Sequence, residues 1–344
     1  MLMGDMTSTV LVTGAAGRIG RHVIRLLTGR GRAVRALVLP GDPGRAWLEQ
    51  QASVTCVEGR LEDLSSLRPA VEGIISVIHL AAALTSRGGI DDEFFASNAV
   101  GTYHLLAAMR DARTTVSRLV YASSDAVYWG GAGPAFSPVD ESHPRIPATV
   151  YGATKYVAEE LCLTFGRAYG IPATIIRPSA TADADELIDP DGVFGSRMWV
   201  HSAIRRIETH RAPAAPDLEL LAALRVIDDG TQRLYVVADL YGRTAMSTLN
   251  DARDCATGIF LALDNPLAVS EQFNIGPAAP YAESELLAHL GARLGLPVST
   301  VTIAGARPSW IVSSAKARAV LGYAPARTVF EMVDEAIASR GGVA

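Results

Sequence analysis

The sequence predicts an α/β protein: a doubly wound parallel sheet followed by a smaller C-terminal lobe. Three observations predict it. Short β-branched runs alternate with longer helical patterns from residue 9 to residue 176. The first run ends in the turn Gly14-x-x-Gly17-x-x-Gly20, and after Arg177-Pro178 the alternation gives way to acidic and Pro/Ala-rich segments.

In chain order, the β-branched runs predict strands over 9–13, 33–39, 54–57, 74–80, 118–122 and 173–177. Between them, apolar periodicity predicts helices over 18–27, 91–113 and 151–169. Gly170 and Pro172 close the last of these, because glycine takes the left-handed cap and proline cannot continue a helix. Next comes an acidic stretch (Asp183, Asp185, Glu186, Asp189, Asp191), then a predicted helix over 197–209 and the Pro/Ala-rich 212–216, which together read as a lobe beside the sheet. Regular structure resumes over 233–240, with a helix over 251–263 and a short strand, Gln272–Ile275, placed to rejoin the sheet; 284–338 is predicted mostly helical. This gives a dinucleotide-binding domain of residues 1–180 and 234–276, and a substrate-binding lobe of 181–233 and 277–344.

Composition narrows the function classes. The 344-residue chain is 49% hydrophobic and 19% charged, enough apolar material for a core. Its formal charge of −5 argues against a nucleic-acid binder, which needs a basic face to displace counterions from phosphates. Cys56, Cys162 and Cys255 are far apart and include no C-x-x-C, so neither a disulfide framework nor a metal site is expected, and a reducing, cytoplasmic location is. The first seven residues carry Asp5 and no apolar core of a signal peptide. The longest apolar run, 73–84, is interrupted by Ser76 and His79 and falls short of the roughly 20 residues a membrane span needs. The expected partner is a small molecule, with neither nucleic acid nor membrane.

The glycine turn carries the first chemical signal. A strand that turns tightly into a helix, with no Cβ in the way, brings a pyrophosphate against backbone amides and the positive helix end. Here the three glycines follow a strand and open an amphipathic helix, the context such a dinucleotide-binding motif requires. The acid that commonly ends the second strand and takes the adenosine ribose hydroxyls is missing, since Val38, Leu39 and Pro40 stand there. Arg18, Arg35 and Arg45 are available to neutralise a 2′-phosphate, which tilts the choice between NAD and NADP slightly towards NADP.

The second signal is catalytic. The run Val120 to Tyr128 starts as a strand and ends in a polar loop, which puts Ser124 near the carboxyl edge of the sheet, where such folds bind ligands. Tyr151 and Lys155 open a helix at i, i+4 spacing and share one face. A phenol, with an ordinary pKa of about 10, is a poor base at neutral pH; a nearby ammonium and a nicotinamide charge favour its ionised form. Ser124 would then hold the substrate oxygen for hydride transfer.

With these segments in place, the chain resembles an extended short-chain dehydrogenase/reductase of the NAD-dependent epimerase/dehydratase superfamily. The resemblance is carried by Thr13-Gly-Ala-Ala-Gly-Arg-Ile-Gly20, His79-Leu-Ala-Ala82, Asn98-Ala-Val-Gly-Thr102, Ser123-Ser-Asp-Ala-Val-Tyr128, Tyr151-Gly-Ala-Thr-Lys155, Arg177-Pro178, Asn250-Asp251 and Phe273-Asn-Ile-Gly276. It implies a Rossmann domain, Tyr151 as acid and base, Lys155 on the nicotinamide ribose, Ser124 on the substrate oxygen and Asn98 supporting the lysine through water. It also implies a cofactor surface of Gly14, Ala16, Gly17, Arg18, Ile19 and Gly20 in the turn; Leu39, Leu61 and Glu62 after the next strands; Leu80, Ala81, Ala82 and Ala83; Ala122 and Ser123; Tyr151 and Lys155; and Arg177 and Pro178. A homodimer through the helices over 91–113 and 151–169 follows from the same likeness.

The chain departs from the family's pattern in several places. Arg60 stands where relatives carry an aspartate that meets the adenine amino group, and a guanidinium accepts no hydrogen bond, although Asp63 is nearby. Asp125-Ala126 replaces the Asp-Glu pair of sugar dehydratases, and Ser179-Ala-Thr181 lacks the asparagine with which epimerases hold a diphosphate. Arg197, Arg205, Arg206 and Arg243 are alternative diphosphate ligands, and the acidic stretch would repel a diphosphate if it faced the pocket. His79 reads as packed against the cofactor domain, His143 and His201 as weak acid or base candidates, and Trp129, Trp199 and Trp310 as core more readily than pocket lining. The expected function is an NAD(P)-dependent epimerase or oxidoreductase acting on a sugar, nucleotide sugar or related hydroxy or keto compound. The competing reading is a catalytically silent dinucleotide-sensing protein, which has no need of Ser124, Tyr151 and Lys155 together.

Overall fold

Val10 and Val12 of the first strand face one apolar core and Leu11 between them faces another. That is the two-sided burial of a sheet covered on both faces. The computed structural model describes residues 9–84, 91–112, 116–131, 133–210, 213–305 and 308–341. Along the chain run β1 (Val10–Thr13), α1 (Arg18–Thr28), β2 (Val34–Val38), α2 (Arg45–Glu49), β3 (Val54–Glu58), α3 (Leu64–Val71) and β4 (Ser76–His79). A helix made of α4 (Asp91–Phe94), a π-helical turn (Phe95–Val100) and α5 (Gly101–Asp111) leads to β5 (Arg118–Ala122), α6 (Val150–Tyr169) and β6 (Ala173–Pro178). Then follow β7 (Ala180–Ala182), α7 (Val200–Glu208), α8 (Ala215–Ile227), β8 (Leu234–Ala238), β9 (Met246–Ser247) and β10 (Leu249–Asp251). The chain ends through α9 (Ala252–Asp264), β11 (Gln272–Ile275), β12 (Tyr281–Ala282), α10 (Glu283–Leu294), β13 (Val298–Thr302), α11 (Ala315–Leu321) and α12 (Val329–Gly341).

Seven strands form the central sheet in the order β11-β6-β5-β4-β1-β2-β3, every pairing parallel. The order reverses between β1 and β4, so the loops after these strands diverge and open a crevice at the carboxyl edge. Val23, Ile24 and Leu27 of α1 and Ile259 and Phe260 of α9 fill one face; Leu67 of α3, Leu105 of α5 and Cys162 of α6 fill the other. Gln272–Ile275 rejoins the sheet as expected, paired with β6.

Two expectations need correction. The strand at Leu234–Ala238 does not enter the central sheet: it pairs in parallel with Val298–Thr302, and Leu234 and Val236 pack with Leu286 and Leu290 in the lobe core. The stretch from 277 onwards is not all lobe, because Ala317, Leu321 and Tyr323 pack beneath the central sheet with Phe273. Both errors have one cause: the partner of each segment lies far away in sequence, where local periodicity carries no information. The helix expected over 91–113 is continuous only with a π turn in its middle, and its last residue lies outside the described residues, as do the first seven residues of the chain.

One buried ion pair joins α6 to the sheet. Arg177 of β6 and Glu159 of α6 are both fully buried and meet through Nε to Oε1 at 2.8 Å and Nη2 to Oε2 at 2.7 Å. Arg177 also donates to the Tyr128 hydroxyl at 2.7 Å and to Gln272 Oε1 at 2.6 Å. Removing one partner strands a buried charge, which costs about 3–5 kcal/mol. Glu159→Ala is expected to lower the unfolding free energy by about that amount, measured by urea denaturation against wild type.

Candidate active site

The glycine turn is built so that nothing but hydrogen fits. Gly14 has φ +67°, and a Cβ there would come within 2.8 Å of the Ala81 amide. A Cβ on Gly20 would lie 2.1 Å from Gly14 O. No side chain caps α1, whose first residues follow Gly17 directly, so its leading amides keep their hydrogen-bonding capacity. The turn touches the loop after β4 along the crevice. These features fit a dinucleotide pyrophosphate.

A chain of neutral hydrogen bonds runs from this turn to the catalytic helix. Thr13 Oγ1 meets His79 Nδ1 at 2.7 Å, and His79 Nε2 meets Thr102 Oγ1 at 3.0 Å. The Thr102 proton goes to Asn98 O at 2.6 Å, so Nε2 must be the donor and Nδ1 the acceptor of the Thr13 proton. Complete burial holds His79 neutral, pushed down to about 3, with Lys155 adding to the shift. His79 is structural, as its strand-end position suggested.

Asn98 sits in the π turn, a geometry often found at functional sites. Its Oδ1 accepts from the Ala83 amide at 2.7 Å, and its Nδ2 donates to Ala83 O at 3.1 Å and Thr154 Oγ1 at 3.2 Å. Its direct partners are thus the loop after β4 and α6.

Ser124, Tyr151 and Lys155 are brought together by a close approach of two elements. A Cβ on Gly152 would lie 2.5 Å from Ala126 O, so this glycine lets the first turn of α6 press on the serine loop. Thr149 caps the helix by accepting from the Gly152 amide at 3.0 Å. Burial pushes the Tyr151 phenol up to about 12, opposed by a hydrogen bond with Ser124 and reinforced by Asp125. Lys155 is buried, donates to Ala122 O at 2.5 Å and stands 4.4 Å from the centre of the Tyr121 ring. Burial lowers it to about 7, against the pull of Cys162 and Glu159. Ser123 Oγ, at the same strand end, is buried and has no hydrogen-bond partner among the described residues.

Other expected residues are committed elsewhere. The Arg177 side chain belongs to the Glu159 pair, so it does not line the cofactor crevice. Arg18 pairs with Glu186 and donates to Thr181 O, Arg35 caps carbonyls at the end of α3, and Arg45 pairs with Glu49 and Glu58. The tilt towards NADP rested on these three arginines and loses its support. Asp63 caps α3 through the Ser65 amide. His143 is buried, taking the Ala135 amide on Nε2 and meeting Pro144 O with Nδ1, and Trp199 is lobe core. His201 is exposed on α7.

Two groups escaped the sequence reading. Asp42, in the loop after β2, accepts from the Gly44 amide at 2.8 Å, and a Cβ on Gly44 would touch the Ala16 side chain at 2.4 Å. That places a carboxylate beside the glycine turn, three residues past where a strand-end acid is sought. Trp310 donates its indole N–H to Asp125 Oδ2 at 3.0 Å, closing one side of the serine loop. Its distance in sequence from Ser124 hid this.

In the lobe, a cavity of about 210 Å³ is lined by apolar residues including Phe194, Met198, Leu220 and Leu286, together with Arg197, Arg206, Asp217 and Glu283. Ala180 lines it too, at the position where epimerases carry asparagine. Arg243 is absent from it and pairs with Asp239, while Arg205 pairs with Asp191. The acidic stretch faces basic partners, with Asp183 on His22 and Glu186 on Arg18.

Residues 10–276 match the model of the NAD dependent epimerase/dehydratase family. The chain belongs to that family. It is a nicotinamide-dependent enzyme of the extended short-chain dehydrogenase/reductase type. The family member is 37% identical over 177 residues to a 4-hydroxy-2-methyl-3-oxo-4-farnesyl-3,4-dihydroquinoline-1-oxide ketoreductase of Stigmatella aurantiaca, a match spanning 51% of each chain. It is 28% identical to a UDP-glucose 4-epimerase of Halalkalibacterium halodurans over 92% of this chain and 90% of that one. A short-chain dehydrogenase/reductase superfamily protein of Agrobacterium tumefaciens, solved with bound NAD, is 34% identical with a TM-score of 0.86, covering 97% of this chain and 98% of that one. Among the described residues, no helix is long and apolar enough to cross a membrane, and no group of side chains could hold a metal ion.

The buried neutral His79 makes stability depend on pH in a defined direction. Its folded value of about 3 lies below the ordinary 6.5, so the unfolded chain binds this proton first, and the contribution is lost as pH falls from about 6.5 towards 3. The slope is about 1.4 kcal/mol per pH unit. Between pH 6.5 and 4.5, His79→Asn is expected to lose about 2–3 kcal/mol less unfolding free energy than wild type, read from urea denaturation at the two pH values.

Proposed function

We propose that the chain transfers hydride reversibly between NAD and a secondary alcohol or ketone carbon of a sugar, nucleotide sugar or related hydroxy or keto compound, with Tyr151 as acid and base. The observation that carries this is the contact of Tyr151 with Ser124 at the carboxyl edge of β5, made possible by Gly152. When bound, the nicotinamide supplies or accepts the hydride and, oxidised, brings a positive charge. With its phenol held up at about 12, Tyr151 is protonated at neutral pH and ready to donate to a carbonyl oxygen. For the reverse direction, positive charge nearby favours the phenolate, and Ser124 can donate to it. A silent sensor would have no use for these three groups together.

The residues fit the dinucleotide along Gly14, Ala16, Gly17 and Gly20, across Ala81 to Ala83, to Ala122 and Ser123. Ser123 Oγ is available there for a polar group of the cofactor. Asp42 supports NAD over NADP: a carboxylate beside Ala16 accepts ribose hydroxyls and repels a 2′-phosphate. Among the described residues, the cavity's Arg206 has no carboxylate partner and its Nε meets Ser196 O at 3.3 Å, which supports a substrate with an anionic group and an apolar portion. Exposed Phe95 and Tyr103, with Val150, Val157 and Tyr169 of α6, provide an apolar face for a homodimer. Free Cys56, Cys162 and Cys255 suit a reducing cytoplasm.

Turnover is followed by absorbance at 340 nm beside product analysis. A steady change means net redox, and product formed with the cofactor recycled means epimerisation. Tyr151→Phe is expected to lower kcat at least ~100-fold with NAD affinity kept; unchanged turnover on a verified substrate would disprove the assignment. Asp42→Ala is expected to weaken NAD binding about ten-fold and to narrow the preference over NADP, read by calorimetric titration of both dinucleotides.

A further inference from the structure

Hydride transfer as described uses Ser124 and Tyr151 but leaves the half-buried carboxyl beside Ser124 unexplained. Ser124 has a single proton, and two acceptors compete for it. Its Oγ lies 3.3 Å from Asp125 Oδ1, and the Tyr151 phenol, whose ionisation Ser124 favours, is the other acceptor. The Ala126 amide donates to the same oxygen at 3.1 Å and fixes its place. Asp125 Oδ2 accepts the Trp310 indole at 3.0 Å. Trp310 packs edge-on against Trp129, with 4.9 Å between ring centroids, and its amide donates to Met246 O of β9 at 2.8 Å. The next residue, Ser247, lines the lobe cavity. One carboxyl therefore connects the catalytic serine with the wall of the substrate lobe.

We propose that Asp125 is a positioning residue that sets the direction of the Ser124 proton. Ionised, it draws that proton towards itself, away from Tyr151 and the substrate oxygen. Protonated, it donates to Ser124 Oγ and releases the serine's own proton to point at the phenol and the substrate. The proton on Asp125 comes from solvent and no bond to carbon changes. This inference rests on the reading of Tyr151 as acid and base.

Electrostatics agree with the geometry. Burial raises the Asp125 carboxyl to about 6, against the hydrogen bonds from Trp310 and Ser124. The two forms of the carboxyl then exchange near neutral pH. The ionised form also pushes the Tyr151 phenol up, so both effects oppose the phenolate together. The groups facing the carboxyl are Tyr151 on α6, Ser124 on its own loop and the neutral Trp310 indole. Beyond the indole, at 6.3 Å between ring centroids, lies His143, whose nitrogens are engaged by Ala135 and Pro144. Lys155, the next turn of α6, is directed to Ala122 O.

The experiment uses the full chain and has two arms. The first needs no substrate: indole fluorescence is titrated from pH 5 to 8 in wild type, Asp125→Asn and Trp310→Phe, with thermal midpoints confirming that each is folded. A transition near pH 6 in wild type, lost in both variants, supports the link between Asp125 and Trp310. A transition that persists in Asp125→Asn overturns it. The second arm measures kcat for reduction of a ketone substrate over the same range. Wild type is expected to rise at least five-fold as pH falls from 8 to 5, and Asp125→Asn, whose amide donates to Ser124 as the protonated acid does, to be flat. Retention of the wild-type profile in Asp125→Asn overturns the proposal. If no variant or wild type transfers hydride, the function reading fails instead, and the fluorescence arm still decides the placement of Asp125 against Trp310.

Discussion

The pairing of Arg177 with Glu159 is the constraint on which the geometry of this enzyme rests. Taking two charges out of water costs several kcal/mol each, and the loss is offset only when every remaining donor is satisfied. Arg177 comes close to that condition, with four of its five donors placed on Glu159, Tyr128 and Gln272, and Arg145 adds a further bond to Glu159. One guanidinium thereby fixes four elements to one another: β6, α6, β11 and the loop that carries Ser124. Glu159 lies one helical turn beyond Lys155, so the same carboxylate that anchors the helix also steadies the charge of the buried lysine.

A second network, without charges, couples the glycine turn to α6. Thr13, His79, Thr102 and Asn98 pass hydrogen bonds from the end of β1 to Thr154, which donates to Tyr151 O at 2.8 Å. Neutrality suits this route, because a charge at His79 would sit in complete burial. The π turn widens the helix around Asn98, whose amide braces the loop after β4 and α6 at once. The glycine turn and the start of α6, which carries Tyr151 and Lys155, are thus linked through these side chains.

Charge is also used to join the lobe to the sheet. Arg18 and His22 project from the start of α1, where the helix end is itself positive, and meet Glu186 and Asp183 of the lobe. Two carboxylates of the acidic stretch that appeared hostile to a diphosphate, Asp183 and Glu186, are in this way turned towards α1. The substrate cavity keeps a mixed character, apolar over most of its wall with arginines and carboxylates at its edges.

The sequence by itself determined the central sheet, the glycine turn and the identity of Ser124, Tyr151 and Lys155. Each of these is a local matter: strand alternation, a turn that admits no Cβ, and two residues one helical turn apart. Its departures at Leu39 and Ala180 were equally legible as missing side chains. Only the tertiary structure decided what replaces them, and which charged groups are free to act. The three arginines near the glycine turn look alike in sequence, yet Arg45 pairs locally while the partners of Arg18 and Arg35 come from distant segments. Asp42 became visible through the packing of Gly44 on Ala16, and Asp125 through an indole 185 residues away. The β8–β13 pairing and the return of α11 to the central core were hidden for the same reason. Periodicity records how a segment meets its neighbours in the chain, while partners across the fold are chosen by burial and charge in three dimensions.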